Sequence, residues 1–239
     1  MVAQKLQYKW IAGIVMCPQG WLIVPARVVN ATVIIEDPMV VRSLIDVVDF
    51  RPKFDAVAIN VPLGYPDTPN GPDGCFEDQA RDLVGWPRRV GVRTVPSRAA
   101  LNAATRAEAL EIEPWLTRDD FRRFRWLREA SQMFQPFHQR AFFSANAELS
   151  YTLLNDNRPL KTSPFHQEGI IERMRLIRDK LPGADEIISR IPPEGAAQFH
   201  VMQATGLLWT ARRAVGRAIN RVPMDPDWDS NGLRVELVR

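Results

Sequence analysis

The chain has 239 residues, 46% hydrophobic and 25% charged, long enough for one large α/β domain or two small ones. Its 31 basic and 28 acidic side chains give a weakly basic +3, which by itself says little about nucleic acid. Two cysteines, Cys17 and Cys75, exclude a disulfide framework; with no signal peptide to read, free thiols point to a reducing, cytoplasmic compartment. β-rich runs over 8–16 and 20–29, separated by Cys17-Pro18-Gln19-Gly20, predict a hairpin, and 31–35 a third short strand. Asp37 as N-cap and Pro38 at the first turn predict a helix over 39–48. Phe54-Asp55-Ala56-Val57-Ala58-Ile59-Asn60 then reads as a buried parallel strand ending on one polar residue, before Pro62 and Gly64 break the chain. Antiparallel strands followed by a helix and a parallel strand make a mixed sheet.

The Pro- and Gly-rich stretch 65–74 must be a loop, placed directly after a strand end where function-bearing loops sit. Helices are expected over 75–84, over 97–112 with Ser97 as N-cap, and over 119–135. Residues 142–154 read as a strand leading into a helical turn, 167–180 as a helix, 196–219 as a long helix and 233–238 as a closing strand. The most apolar part of the long helix, 199–219, carries His200, Arg212, Arg213 and Arg217, which excludes a membrane span. The economical organisation is a single domain over 1–239 with a helical insertion around 97–140.

Five residues stand where an α/β site would need them. Asn60 ends the central strand, Glu77 opens the helix after the Pro-rich loop, and Glu148 lies in the polar patch Ser144-Ala145-Asn146-Ala147-Glu148. His200 and Gln203 share a face at the start of the long helix by i,i+3 spacing, and His200 suits a general base because imidazole titrates near neutrality. A two-metal phosphodiesterase site needs several carboxylates from different elements. Here Glu148 is the candidate metal ligand; an amide coordinates through oxygen but adds no charge, so Mg²⁺ or Mn²⁺ would be held weakly. For nucleic acid, Arg118, Arg122, Arg123 and Arg125 lie on one predicted helix, interleaved with Phe121, Phe124 and Trp126, and Arg212 and Arg213 begin a second basic stripe. The plain reading of Phe121, Phe124 and Leu127 is core packing on an amphipathic helix.

Gly13-Ile14-Val15-Met16-Cys17-Pro18-Gln19-Gly20-Trp21, Asn60-Val61-Pro62-Leu63-Gly64-Tyr65-Pro66 and Phe76-Glu77-Asp78-Gln79-Ala80-Arg81 occur in order, followed by Ser131-Gln132 and Asn146-Ala147-Glu148. Lys161-Thr162, Gly169, Arg173, Trp209-Thr210-Ala211-Arg212-Arg213 and Asp229-Ser230-Asn231-Gly232-Leu233 complete the series. On these motifs the chain resembles, nearly end to end, a bacterial domain-of-unknown-function family predicted to be RNase H-like nucleases. The resemblance implies an RNase H-like mixed sheet flanked by helices. Val15, Asn60 and Gln203 stand where that family carries Asp. The expectation is therefore a degenerate nuclease homologue that binds nucleic acid or a protein partner without efficient metal-dependent cleavage. A divalent-metal-dependent hydrolase with a site rebuilt from Glu148, Glu77 and His200 is the second reading, and a structural subunit of a larger complex the third.

Overall fold

In the computed structural model, which describes residues 8–74 and 76–239, β1 (Lys9–Cys17) and β2 (Gly20–Val29) pair antiparallel from Lys9–Val28 to Cys17–Gly20. β3 (Thr32–Ile35) and β4 (Met39–Val41) both add antiparallel to β2. The chain then crosses over through α1 (Leu44–Val48) and enters β5 (Ala56–Ile59), parallel to β1. β6 (Phe142–Ser144) pairs parallel with β5 and completes the order β3-β2-β1-β5-β6. An antiparallel trio extended by parallel strands on its far side is the sheet of an RNase H-like α/β fold.

Between β5 and β6 run α2 (Glu77–Val84), α3 (Arg98–Asn102), α4 (Arg106–Ile112) and α5 (Arg118–Met133), with 3-10 turns at Arg88–Gly91 and Pro136–Arg140. After β6 come α6 (Ala147–Leu154), α7 (Gln167–Arg178), α8 (Ala184–Ser189) and α9 (Gln198–Val215). An antiparallel ribbon of β7 (Arg221–Trp228) and β8 (Arg234–Val238) follows, tied to the main sheet by a bridge between Val238 and Ala145.

The two faces of the sheet define two cores. Along β1 the side chains alternate, Ala12 and Ile14 towards one core, Ile11 and Val15 towards the other, and all four are fully buried. β5 alternates likewise, with Val57 and Ile59 against Ala56 and Ala58. A strand covered on both faces reads as a continuous apolar run, which is why β5 stood out in the sequence. Helices α1 to α5 supply the first core and α7 to α9 the second. α9 lies directly on β1: a Cβ at Gly13 would come within 1.9 Å of the Ala204 carbonyl oxygen, so only glycine admits this approach.

Three expectations are corrected. Residues 39–48 are not one helix: the chain adds β4 to β2 first, and α1 begins only at Leu44, where Ser43 and Asp46 form a reciprocal capping box. The helix over 97–112 is two. Ser97 caps α3 as expected, but Thr105 caps a new start by accepting the Glu108 amide hydrogen. α8 and β7 are additional elements; Pro223 and Pro226 hid β7, and its irregular register accommodates them at a ribbon edge. Cys75, expected to open α2, lies outside the described residues.

Candidate functional site

β1, β5 and β6 point their carboxyl ends the same way, and a cavity of about 540 Å³ opens there. Crevices beyond the carboxyl ends of parallel strands are where α/β sheets carry ligands. Its walls come from Met16, Cys17 and Pro18 after β1, Asn60 to Pro62 after β5, and Ala145 to Glu148 after β6. The 3-10 turn with Arg88, α5 with Arg123 and Trp126, and the first turns of α9 with Phe199, His200 and Gln203 close it.

Four of the five candidate site residues meet here: Asn60, Glu148, His200 and Gln203. Glu77 does not. It is fully buried, and its carboxylate accepts from the Val95 and Phe76 amides at 2.7 and 3.1 Å, which fastens the chain on either side of α2. Val15 is buried under α9 and does not line the cavity.

Glu148 is 4% exposed and both carboxylate oxygens accept from Nη2 of Arg173, at 2.9 and 2.7 Å. Arg173 is fully buried; its Nη1 donates to the Thr162 and Gly169 carbonyls. Gly169 lets α7 come close enough for this, since a Cβ there would sit 1.8 Å from the Ser163 carbonyl oxygen. A second guanidinium, Arg88, places its Nε 3.5 Å from Glu148 Oε2, and that Nε is buried without a hydrogen-bond partner. One carboxylate is thus shared by two arginines.

The neutral polar groups are oriented by backbone amides. Asn60 Oδ1 accepts from the Met16 N–H at 2.9 Å, so its NH₂ is the group left for the cavity. His200 is nine-tenths buried, and its Nδ1 accepts from the Ala197 N–H at 2.9 Å, which places the proton on Nε2. Burial holds its pKa down at about 4, so the ring is neutral at physiological pH. With Nδ1 engaged and Nε2 protonated, His200 offers the cavity a donor, not the basic lone pair a general base needs. Asn146 is engaged at both ends: Oδ1 caps α6 through the Glu148 and Leu149 amides, and Nδ2 donates one hydrogen bond to the Gly91 carbonyl. Burial also raises the Cys17 thiol, keeping it protonated.

This donor set does not fit a divalent ion. Mg²⁺ or Mn²⁺ seeks several oxygen ligands with negative charge, and the wall offers one carboxylate already committed to two arginines. Among the described residues no cluster of three or more His, Cys, Asp or Glu could hold a metal. Of the nearby acids, Asp67 in the loop is held by Ser230 and Arg98, and Asp78 on α2 by Arg89.

The candidate nucleic-acid arginines divide. Arg123 faces the cavity, while Arg118 and Arg122 lie on the exposed side of α5, Arg122 paired with Asp119. Arg125 sits over the Trp126 ring and donates to the Pro18 carbonyl at 2.7 Å. Together with the Trp126 bond to Gly20, this clamps α5 onto the β1–β2 turn. Phe124 and Leu127 are buried, as their spacing predicts. Arg212 and Arg213 occupy the opposite end of α9, about 14 Å along its axis from Gln203, and donate to the Ala31, Lys180 and Ala218 carbonyls. Sequence reasoning did not single out Arg88, Arg93 or Phe165 as lining residues. The first two lie in an irregular 88–95 stretch with no periodicity to flag them, and only a charge in a turn-rich segment marks them.

The fold and this cavity define an RNase H-like α/β protein whose sheet-edge site is rich in donors and poor in acids. A family model described as "Protein of unknown function (DUF429)" matches residues 13–227, and the chain belongs to that family. Comparison with curated proteins and with solved structures gave no match.

Proposed function

We propose that this chain is a degenerate RNase H-like nuclease homologue that binds nucleic acid at the sheet-edge cavity without divalent-metal cleavage. The observation that carries the reading is the Glu148–Arg173–Arg88 cluster: the one acid at the strand ends is neutralised twice over, so the site attracts anions where a metal nuclease needs to attract cations. Arg93 and Arg123 on the same wall, and the exposed Phe165 at its mouth, suit a polyanion with stacking bases.

The test pairs two measurements on the purified chain. Calorimetric titration with Mn²⁺ is expected to give no binding heat, and labelled single-stranded oligonucleotides are expected to bind in the presence of a chelator and remain uncut. Micromolar Mn²⁺ binding that disappears in Glu148→Gln would overturn the metal-free reading and favour a rebuilt hydrolase. A chain that binds no oligonucleotide under any salt condition would overturn the nucleic-acid reading.

A further inference from the structure

The cavity joins an apolar interior to a few polar atoms whose hydrogen-bonding sense is fixed. Val61, Val92, Val95 and Leu237 line it beside the Trp126 ring. A phosphate is strongly hydrated and gains nothing from such a lining. A nucleobase hides its ring faces there and keeps its edge for hydrogen bonds. About 540 Å³ lies in the range of small-ligand pockets.

An aromatic path leads inward. Phe165, largely exposed, packs edge-on against Phe199 with ring centres 5.0 Å apart. The Phe199 ring in turn lies 3.8 Å from that of His200, which is nine-tenths buried. All three line the cavity. Rings so placed stack a base turned out of a single strand, while the flanking phosphate meets the half-exposed Arg93.

The polar edge decides which base. Asn60 offers its NH₂, because its oxygen accepts from the Met16 N–H at 2.9 Å. His200 offers Nε2–H, because Nδ1 accepts from the Ala197 N–H at 2.9 Å. Gln203, one turn further along α9, adds a carbonyl acceptor as well as an amide donor. Two donors and an acceptor complement an edge that reads acceptor, donor, acceptor. Uracil and thymine have that edge in O2, N3–H and O4. Cytosine carries an amino group where they carry O4, and adenine also presents an amino group, so both would set donor against donor.

Resting on the nucleic-acid reading above, we infer that the cavity takes an everted base of a single strand and selects a keto pyrimidine, uracil or thymine. Asn60, His200 and Gln203 read its edge, and Phe165 and Phe199 stack it.

The experiment measures fluorescence anisotropy in chelator with single-stranded homopolymers of one length: oligouridylate, oligocytidylate, oligoadenylate and oligothymidylate. Equal length gives equal phosphate charge, so differences report the base. Oligouridylate or oligothymidylate is expected to bind about tenfold or more tightly than oligocytidylate, and which of the two wins identifies RNA or DNA as the source of the base. Asn60→Asp keeps an oxygen for Met16 and turns the other atom from donor to acceptor, so the preference over oligocytidylate should vanish or reverse. His200→Phe keeps a ring but loses the donor, and should narrow the same ratio. Each ratio is taken on one variant, so a reduced folded fraction cancels. Equal affinity for all four homopolymers, a preference for an amino base, or a ratio that Asn60→Asp leaves unchanged overturns the base-selecting inference and leaves nucleic-acid binding standing. Binding of free uridine or thymidine but of no homopolymer overturns the nucleic-acid reading and leaves the base pocket standing. No binding of any of these overturns both.

Discussion

Arg173 is an arginine with no exposed surface, and burial of a full charge is tolerated only while its partner is in place. Glu148→Gln leaves Glu172, 3.8 Å away, as the remaining counter-ion of that guanidinium and is expected to cost about 3 kcal/mol in urea unfolding. Replacing both partners, Glu148→Leu with Arg173→Met, should cost less than the sum of the single changes; an additive result would mean that the two act independently. His200 makes a second residue-scale prediction. Its folded pKa of about 4 lies below the ordinary 6.5, so the fold favours the neutral ring. The associated stability is fully present above pH 6.5 and is lost as pH falls from 6.5 towards 4, on the order of 3 kcal/mol in all. Unfolding midpoints at pH 7 and pH 4.5 should differ much less in His200→Gln. At this scale the sequence placed Asn60, Glu148, His200 and Gln203 by strand end and helix spacing. It could not reveal the Met16 and Ala197 amides that fix which atom of Asn60 and His200 faces the cavity, because those bonds depend on backbone position.

Elements position these side chains through close backbone approaches. α9 delivers His200 and Gln203, and it sits where it does because β1 offers no Cβ at residue 13. Gly13→Ala would drive a methyl into the Ala204 carbonyl, which a rigid helix cannot yield by rotamer change. An overpacking cost of about 1–3 kcal/mol or more is expected, together with weaker oligonucleotide binding as α9 lifts; denaturation and anisotropy on the same variant check both. The β1–β2 hairpin and the end of β5 were legible because apolar runs met turn residues, whereas 142–154 read only as a strand leading into a helical turn and the Asn146 cap that starts α6 went unread. The split of 97–112 was not, since Ala-rich sequence conceals a break that depends on Thr105 competing as a cap. The stretch 39–48 misled for a related reason: edge pairing with β2 outweighed a helix start signal that was locally sound.

For the whole molecule, the arrangement of charge matters more than its total of +3. The arginines of α5 and those closing α9 are at separate places, and most donate to backbone carbonyls or pair with acids, so they do not form one continuous track. If binding is confined to the cavity, one or two phosphate charges are neutralised and the slope of log affinity against log salt should be no steeper than about −1.4. A slope several times steeper would mean that Arg118, Arg122 and the α9 stripe join the contact. No helix among the described residues is long and apolar enough to cross a membrane. The cavity itself was beyond sequence reading. Its walls gather residues 16–18, 60–62, 88–95, 123–126, 145–148 and 199–203, and only the strand order brings those together.

The Arg88–Glu148 contact gives that wall a mechanical character. Arg88 is held from behind by a carboxylate at 3.5 Å, and an anion entering from the front competes for the same guanidinium. An anion that draws Arg88 away from Glu148 would leave the Asn146–Gly91 bond as the remaining side-chain hydrogen bond between the 88–91 turn and the α6 cap, while Arg173 keeps α6 anchored to α7. With that contact given up, amide exchange at 88–91 should quicken when an anion is bound and that at 147–154 should stay unchanged, the reverse of the uniform stiffening that a rigid pocket would show.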